Sequence, residues 1–314
     1  MTVRLTVDRA AWTAQVQNVA NSYGHGLVAV VKGNGYGFTR PLLHDVVVAS
    51  GSDTVCVGTV HERADVPAGL TAVVLTPTLE PPADTRAVLT VGCVEHVRAL
   101  EGWTGSVMVK LASSMRRYGA SPAELAGLLA AVDDAGLHVE GFALHLALAG
   151  DDSARLAEIE HWLATLPAGP LWVSHLSAES FHQLAAAHPA REFRIRVGTA
   201  LWHGIPRAGF LQLTADVLQT HQVRAGETAG YHGTPVPFDG TLVAIGAGSA
   251  HGMAPLGDLS PFHFQRQRLS LLERPHMHTS LAVVPVGQPC PQMGDWVDVQ
   301  RPLISTAVDE MLWT

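Results

Sequence analysis

Lys32 ends an apolar run and opens a glycine-rich one. In LVAVVKGNGYGF, residues 27–38, largely apolar residues lead into a lone lysine, and Gly33, Gly35 and Gly37 follow it. A lysine rooted at the end of a buried strand loses part of its hydration, which lowers its pKa and makes the amine nucleophilic. Such an amine forms Schiff bases with carbonyl compounds or with an aldehyde cofactor. The glycines let the chain turn closely around a bulky ligand. Other polar residues also finish apolar runs: Lys110 in SVMVK, His145 in FALH, His175 and Ser177 in LWVSHLS, and Arg196 in FRIR.

The elements that carry these residues form a pattern. Strand-like runs stand at 27–32, 54–60, 72–77, 87–91, 106–111, 141–146, 171–177 and 193–198. Helix-like stretches lie before and between them: VDRAAWTAQVQNVANSYG, SPAELAGLLAAVDDAG, DDSARLAEIEHWLATL and AESFHQLAAAHP. Strands apolar on both faces, alternating with helices, predict a parallel sheet, and eight of them in about 200 residues predict a (β/α)8 barrel. Residues 1–210 are read as this barrel. Residues 211–314, with short β-prone runs broken by Gly and Pro, are read as a smaller, mostly β domain.

In such a barrel the strand ends meet on one rim, where active sites are built. Gly198 and Thr199 follow the last strand, so backbone amides and a hydroxyl are placed to receive a phosphate. An amine, a phosphate nest and an arginine on one rim suit pyridoxal 5′-phosphate, which joins an aldehyde to a phosphate. A Schiff-base aldolase on the same barrel would present similar residues.

Bulk composition narrows the partners. The chain has 314 residues, 47% of them hydrophobic and 15% charged, enough to bury a sizeable core. A net charge of −8 argues against nucleic acid or an anionic membrane as the main partner. No apolar run approaches a membrane span, and MTVRLTVDRAAW lacks the layout of a signal peptide. Three scattered cysteines, Cys56, Cys93 and Cys290, are read as reduced thiols in a cytoplasmic protein. None of the seventeen histidines has the helical spacing with a carboxylate that a zinc site requires, so no metal is expected.

Five segments resemble the alanine racemase family, fold-type III enzymes that use pyridoxal phosphate. VVKGNGYGF is similar to the family's cofactor-lysine motif AVVKANAYGHG, and VKLASSMRRYG to KVDTGMGRLG. EGFALHLA resembles EGIFTHFA, RVGTALWHG resembles RPGIALYG, and AGETAGYHGT resembles AGETVSYGGT. The matches keep their order and cover most of the chain. The resemblance implies that Lys32 holds the cofactor and acts as one acid/base. Tyr36, Ser177, Gly198 and Thr199 would bind the phosphate, His145 would pack by the pyridine ring, and Arg196 would hydrogen-bond its nitrogen. Tyr231 would be the second acid/base, reaching in from the partner in a head-to-tail homodimer. Arg117 would orient the cofactor's phenolic oxygen, supported by Lys110, with Met277 and His278 at the substrate.

Some positions depart from the family's pattern. GYADG appears here as GSAHG (248–252), the Met-Asp pair as Met277-His278, and the C-terminal phosphate tyrosine aligns with Asp309. An aspartate near a phosphate would repel it, so either the alignment slips there or the pocket has been rebuilt. His251 and His278 suggest a different polar group on the substrate. The expectation is a racemase that moves an α-proton between two bases, on alanine or on a larger or more polar amino acid. The alternatives are another reaction of the same cofactor (decarboxylation, elimination or retro-aldol cleavage) or a non-catalytic carrier of it.

Overall fold

The structure, a computed structural model, describes residues 2–204 and 209–314. These fall into two compact units, one of residues 14–35 and 39–204, the other of residues 2–13, 36–38 and 209–314.

β1 (Val3–Val7) and α1 (Arg9–Tyr23) open the chain. Eight parallel strands follow: β2 (Leu27–Ala29), β3 (Thr54–Val57), β4 (Thr71–Val74), β5 (Val88–Val91), β6 (Ser106–Lys110), β7 (His138–Ala143), β8 (Leu171–Ser174) and β9 (Phe193–Val197). Their order around the sheet is β2-β9-β8-β7-β6-β5-β4-β3. The ring closes through a parallel bridge between Val30 and Cys56, where the Val31 amide donates to the Cys56 carbonyl at 2.7 Å. All eight expected strands are present, and β3, β5 and β8 are buried at every position, as a barrel wall packed on both faces requires. Trp202, buried, fastens β2 by donating its indole N–H to the Val30 carbonyl at 2.8 Å.

The helices of this unit are α2 (Arg40–Ala49), α3 (Val94–Arg98), α4 (Pro122–Asp134), α5 (Asp152–Leu163), α6 (Ala178–Ala187) and α7 (Thr199–His203). Their starts follow from sequence. Ser121 and Glu124 form a capping box before Pro122. Asp151 caps α5 by accepting from the Ala154 amide, and Ser177 caps α6 by accepting from the Ser180 amide.

The other unit is mostly antiparallel. Its strands are β10 (Leu211–Val223), β11 (Thr228–Ala229), β12 (Thr234–Pro235), β13 (Gly240–Ile245), β14 (Phe262–Phe264), β15 (Gln267–Arg268), β16 (Ser270–Leu271), β17 (Ser280–Pro285), β18 (Trp296–Val299) and β19 (Glu310–Trp313). The long β10 pairs with β1 and β18 along its first half and with β13 along its second, with a register shift between Val217 and Gln219. β1 is thus a strand of this sheet, held between β10 and β19. Phe38 packs against Trp12 and Trp313 in the same unit. β11 and β12 make a short hairpin whose tip is Gly230-Tyr231-His232-Gly233. No helix among the described residues is long and apolar enough to cross a membrane.

Candidate active site

The C-terminal ends of the barrel strands carry an unusually cationic set. Lys32 follows β2 and Lys110 is the last residue of β6. His145 follows β7, His175 and Ser177 follow β8, Arg196 lies in β9, and Gly198 and Thr199 follow β9. Parallel strands closed into a ring put these ends on one face.

Lys32 as a whole reaches solvent, yet its amine pKa is lowered. Burial is the main cause and the Arg117 charge the next, while Glu62 works in the opposite direction. Glu62 also shapes the backbone here. Its carboxylate accepts from the Gly33 amide at 3.0 Å and from the Gly58 amide at 2.7 Å, joining the chain beyond β2 to the chain beyond β3.

Lys110 is buried, and burial followed by the Arg196 and Arg117 charges brings its pKa down to about 7. Its amine donates to the Leu111 carbonyl at 2.8 Å and the Ala143 carbonyl at 3.3 Å. The direct partners of Lys110 are therefore carbonyls. Arg117 lies with its guanidinium 4.7 Å from the Tyr118 ring, and the Tyr118 hydroxyl donates to the Leu75 carbonyl.

Arg196 is the best-fixed of the cations. It is buried in β9, its Nη2 donates to the Leu144 carbonyl at 2.7 Å and its Nε to the Val173 carbonyl at 3.4 Å. Carbonyls on β8 and just beyond β7, the next two strands of the ring, thus set its orientation and leave Nη1 as its remaining donor nitrogen. His145 and His175 pack with ring centroids 4.9 Å apart. Burial, then Arg196, pushes His145 down to about 2 and His175 to about 4, so both rings are neutral near pH 7. His175 has a left-handed backbone, φ 63°, which for a residue with a Cβ is a strained conformation typical of functional turns.

Ser177 is tied twice. Its amide donates to Asp152 Oδ2 at 2.9 Å, and its hydroxyl oxygen accepts from the Ser180 amide at 3.2 Å. Burial alone would raise the Asp152 pKa, but the Ser177 and Ser180 hydrogen bonds and Arg155 hold it at about 2. Gly198 is the N-cap of the short α7, and Thr199 is exposed beside it.

The Arg117 and Arg196 charges lower the pKa of both Lys32 and Lys110, and Arg196, Lys110 and Arg117 lower that of His145, so the barrel brings these five together. Tyr36, Tyr231, Met277 and His278 belong to the other unit. Tyr36 is buried with φ 57°. Tyr231 and Met277 are 84% and 67% exposed, values that mark them as side chains presented outward. Asp309 is engaged locally: its Oδ2 accepts from the Val3 amide at 2.8 Å and lies 3.3 Å from His251 Nε2.

Glu62 lies outside the motifs read from the sequence. Its carboxylate acts on backbone amides, which leave no spacing in the sequence.

The cluster suits an anionic aldehyde cofactor on its donor chemistry. It offers an amine with a lowered pKa, cations to balance a phosphate, and in Arg196 a buried guanidinium fixed by two carbonyls as a donor for an aromatic nitrogen.

The family model for alanine racemase, N-terminal domain, matches residues 7–206. An alanine racemase of Mycobacterium tuberculosis is 28% identical over 285 residues, which cover 79% of this chain and 73% of that protein. One from Deinococcus deserti is 26% identical over 247 residues, covering 74% and 67%. Among solved structures, alanine racemase from Bartonella henselae, with covalently bound pyridoxal phosphate, superposes with a TM-score of 0.76 at 19% identity, each chain covered in full. Alanine racemase from Clostridium difficile 630 gives 0.75 at 16% identity, with 100% of this chain and 96% of that one covered. The barrel with a lysine just beyond its first strand, the β-rich second unit and the match over residues 7–206 together place this chain in the alanine racemase family.

Proposed function

We propose that this protein is a pyridoxal-phosphate-dependent amino-acid racemase. The observation that carries the reading is Lys32: an amine at the end of the first barrel strand, its pKa lowered by burial and by Arg117, within a family match that spans the barrel. When bound, the cofactor supplies an aldehyde for that amine and an aromatic system that draws electrons from the substrate's α-carbon.

The chain's own residues then have defined tasks. Lys32 would hold the cofactor and move a proton at Cα on one face. The partner subunit's Tyr231 moves a proton on the other face, in a head-to-tail homodimer. Two bases on opposite faces of one carbon are what racemisation needs, since one removes the proton and the other returns it. Tyr231 supports this reading through its position at a hairpin tip, largely exposed. A mere carrier of the cofactor needs no such phenol.

Arg196 would hydrogen-bond the ring nitrogen. A guanidinium does not give up its proton, so with Arg196 as its partner that nitrogen would stay largely unprotonated and the ring would be a weaker electron sink. That favours prompt return of the proton over side reactions. The neutral His145 would pack by the ring, Arg117 would orient the phenolic oxygen with Lys110 in support, and Ser177, Gly198, Thr199 and Tyr36 would bind the phosphate. Met277 and His278 face the substrate, which is alanine or a larger or more polar amino acid. The cytoplasm, with its reduced thiols, is the proposed location.

Borohydride reduction of the protein after incubation with pyridoxal phosphate, followed by peptide mass mapping, tests the attachment. The expected result is a pyridoxyl adduct on the peptide that contains Lys32. An adduct spread over surface lysines, or none, overturns the reading.

A further inference from the structure

The tip of the β11–β12 hairpin is anchored by two residues from the segment between β16 and β17. Glu273 accepts from the Tyr231 amide at 2.9 Å and from the Thr234 hydroxyl at 2.7 Å, so its carboxylate spans the loop. The same carboxylate takes a short hydrogen bond from His276 Nε2. Burial would raise the Glu273 pKa, but the hydrogen bonds from His276, Thr234 and the amides of Tyr231 and His232 hold it at about 2. The His276 ring lies against the Tyr231 ring, centroids 4.3 Å apart and planes at 44°. The His276 backbone is itself fixed: its amide donates to the Thr279 carbonyl and its carbonyl accepts from the Ser249 amide.

Gly230 completes the arrangement. Its φ is 81°, and a Cβ there would collide with the Glu273 carboxylate. The carboxylate cannot simply swing away, because its oxygens hold Tyr231, Thr234 and His276. An exposed phenol at the tip of a two-residue-per-strand hairpin would ordinarily sample several rotamers and backbone states, and ordering such groups costs entropy. Here the backbone is held by Glu273 and the ring by His276.

We propose that Glu273 and His276 are positioning residues for Tyr231, fixing the hairpin tip and the phenol ring in one orientation for proton transfer. The proposal rests on Tyr231 being the second acid/base. An acid/base must present its oxygen within hydrogen-bonding reach of the proton it moves, and a misplacement of about 1 Å can cost on the order of 100-fold in rate. Preordering in the free protein removes that search from each turnover.

Two measurements on the same variants test it. The protein has four tyrosines, so fluorotyrosine labelling gives four ¹⁹F signals, with Tyr231 assigned by Tyr231→Phe. The variants are His276→Ala, the conservative His276→Phe, and Glu273→Gln, which keeps an acceptor but removes the charge. In His276→Ala and Glu273→Gln the Tyr231 signal is expected to shift, and kcat of the reconstituted holoenzyme to fall about 10- to 100-fold with KM within about twofold. The Cα-deuterium isotope effect should rise with one enantiomer only, and His276→Phe should restore most of the rate by keeping a ring against Tyr231. A Tyr231 signal and a kcat unchanged in His276→Ala overturn the proposal. So does a rate loss without a change in either isotope effect, because that is general destabilisation. If Tyr231→Phe abolishes racemisation while His276→Ala is normal, the positioning fails and the two-base reading stands. If Tyr231→Phe racemises at the wild-type rate, the two-base reading fails and this proposal falls with it, whatever the ¹⁹F signal shows.

Discussion

The carboxylate of Glu62 takes the amide hydrogen of Gly33 at 3.0 Å, one residue beyond Lys32. Its other oxygen takes the Gly58 amide, so a single side chain both fixes the turn after Lys32 and places a negative charge near its amine. Glu62→Gln separates these effects. Without the charge that raises it, the Lys32 pKa falls further, and the pH profile for attachment of pyridoxal phosphate moves to lower pH. A glutamine offers one acceptor where two amides need one, so stability should drop by about 1 kcal/mol. Stopped-flow attachment rates against pH, with urea unfolding alongside, check both. A profile that stays in place or moves to higher pH contradicts the assigned role of Glu62.

Lys110 is a buried lysine whose pKa falls from 10.5 to about 7 in the fold. Protonating it there costs stability. The cost is full below about pH 7 and fades as pH rises towards 10.5, where the unfolded chain still holds the proton and the folded one does not. Lys110→Met should therefore stabilise the cofactor-free protein most at or below pH 7, by an amount on the order of a few kcal/mol, with the advantage shrinking at higher pH. Urea unfolding from about pH 6 to about pH 10 reads this directly. A constant difference across that range would mean that the amine keeps its ordinary pKa.

Lys32→Ala should bind pyridoxal phosphate, if at all, without the visible absorbance of a lysine-bound form. The residues proposed for the phosphate (Ser177, Gly198, Thr199 and Tyr36) and for the ring (Arg196 and His145) remain, so weak binding is expected to persist by equilibrium dialysis. Retention of the band by Lys32→Ala would move attachment to another lysine.

Tyr231→Phe removes one of the two proposed bases. Racemisation has an equilibrium constant of unity, so the kcat/KM values in the two directions must stay matched whichever step slows. The asymmetry appears in isotope effects instead: with Cα-deuterated enantiomers, Tyr231→Phe should raise the effect in one direction only and reduce kcat by about 100-fold or more. Equal isotope effects in both directions would point to a single-base route.

Much of the fold was legible because the barrel strands are apolar on both faces and end in conspicuous polar residues. β1 escaped notice. VRLTV alternates over only five residues beside a helical run, and its partners, β10 and β19, lie some 200 and 300 residues away, far beyond any local pattern. α2 was obscured by three consecutive valines, 46–48, whose branching favours strands, and α3 and α7 are only five residues long. In the candidate site, residues at strand ends were readable because barrel geometry predicts where they go. Glu62 and Glu273 were not, because each serves an amide far off in the chain, 29 and 42 residues away, and any carboxylate would look the same. Lys110 was readable as a strand end, but its carbonyl partners belong to the folded barrel alone.

The most direct measurement is α-proton exchange. The holoenzyme is incubated in D2O with each common amino acid as a single enantiomer, and Cα deuterium and optical rotation are followed together. A racemase predicts that at least one amino acid gains deuterium at Cα and loses its rotation at matching rates, dependent on Lys32. Release of carbon dioxide or an aldehyde without loss of rotation, or no exchange with any amino acid, would contradict it.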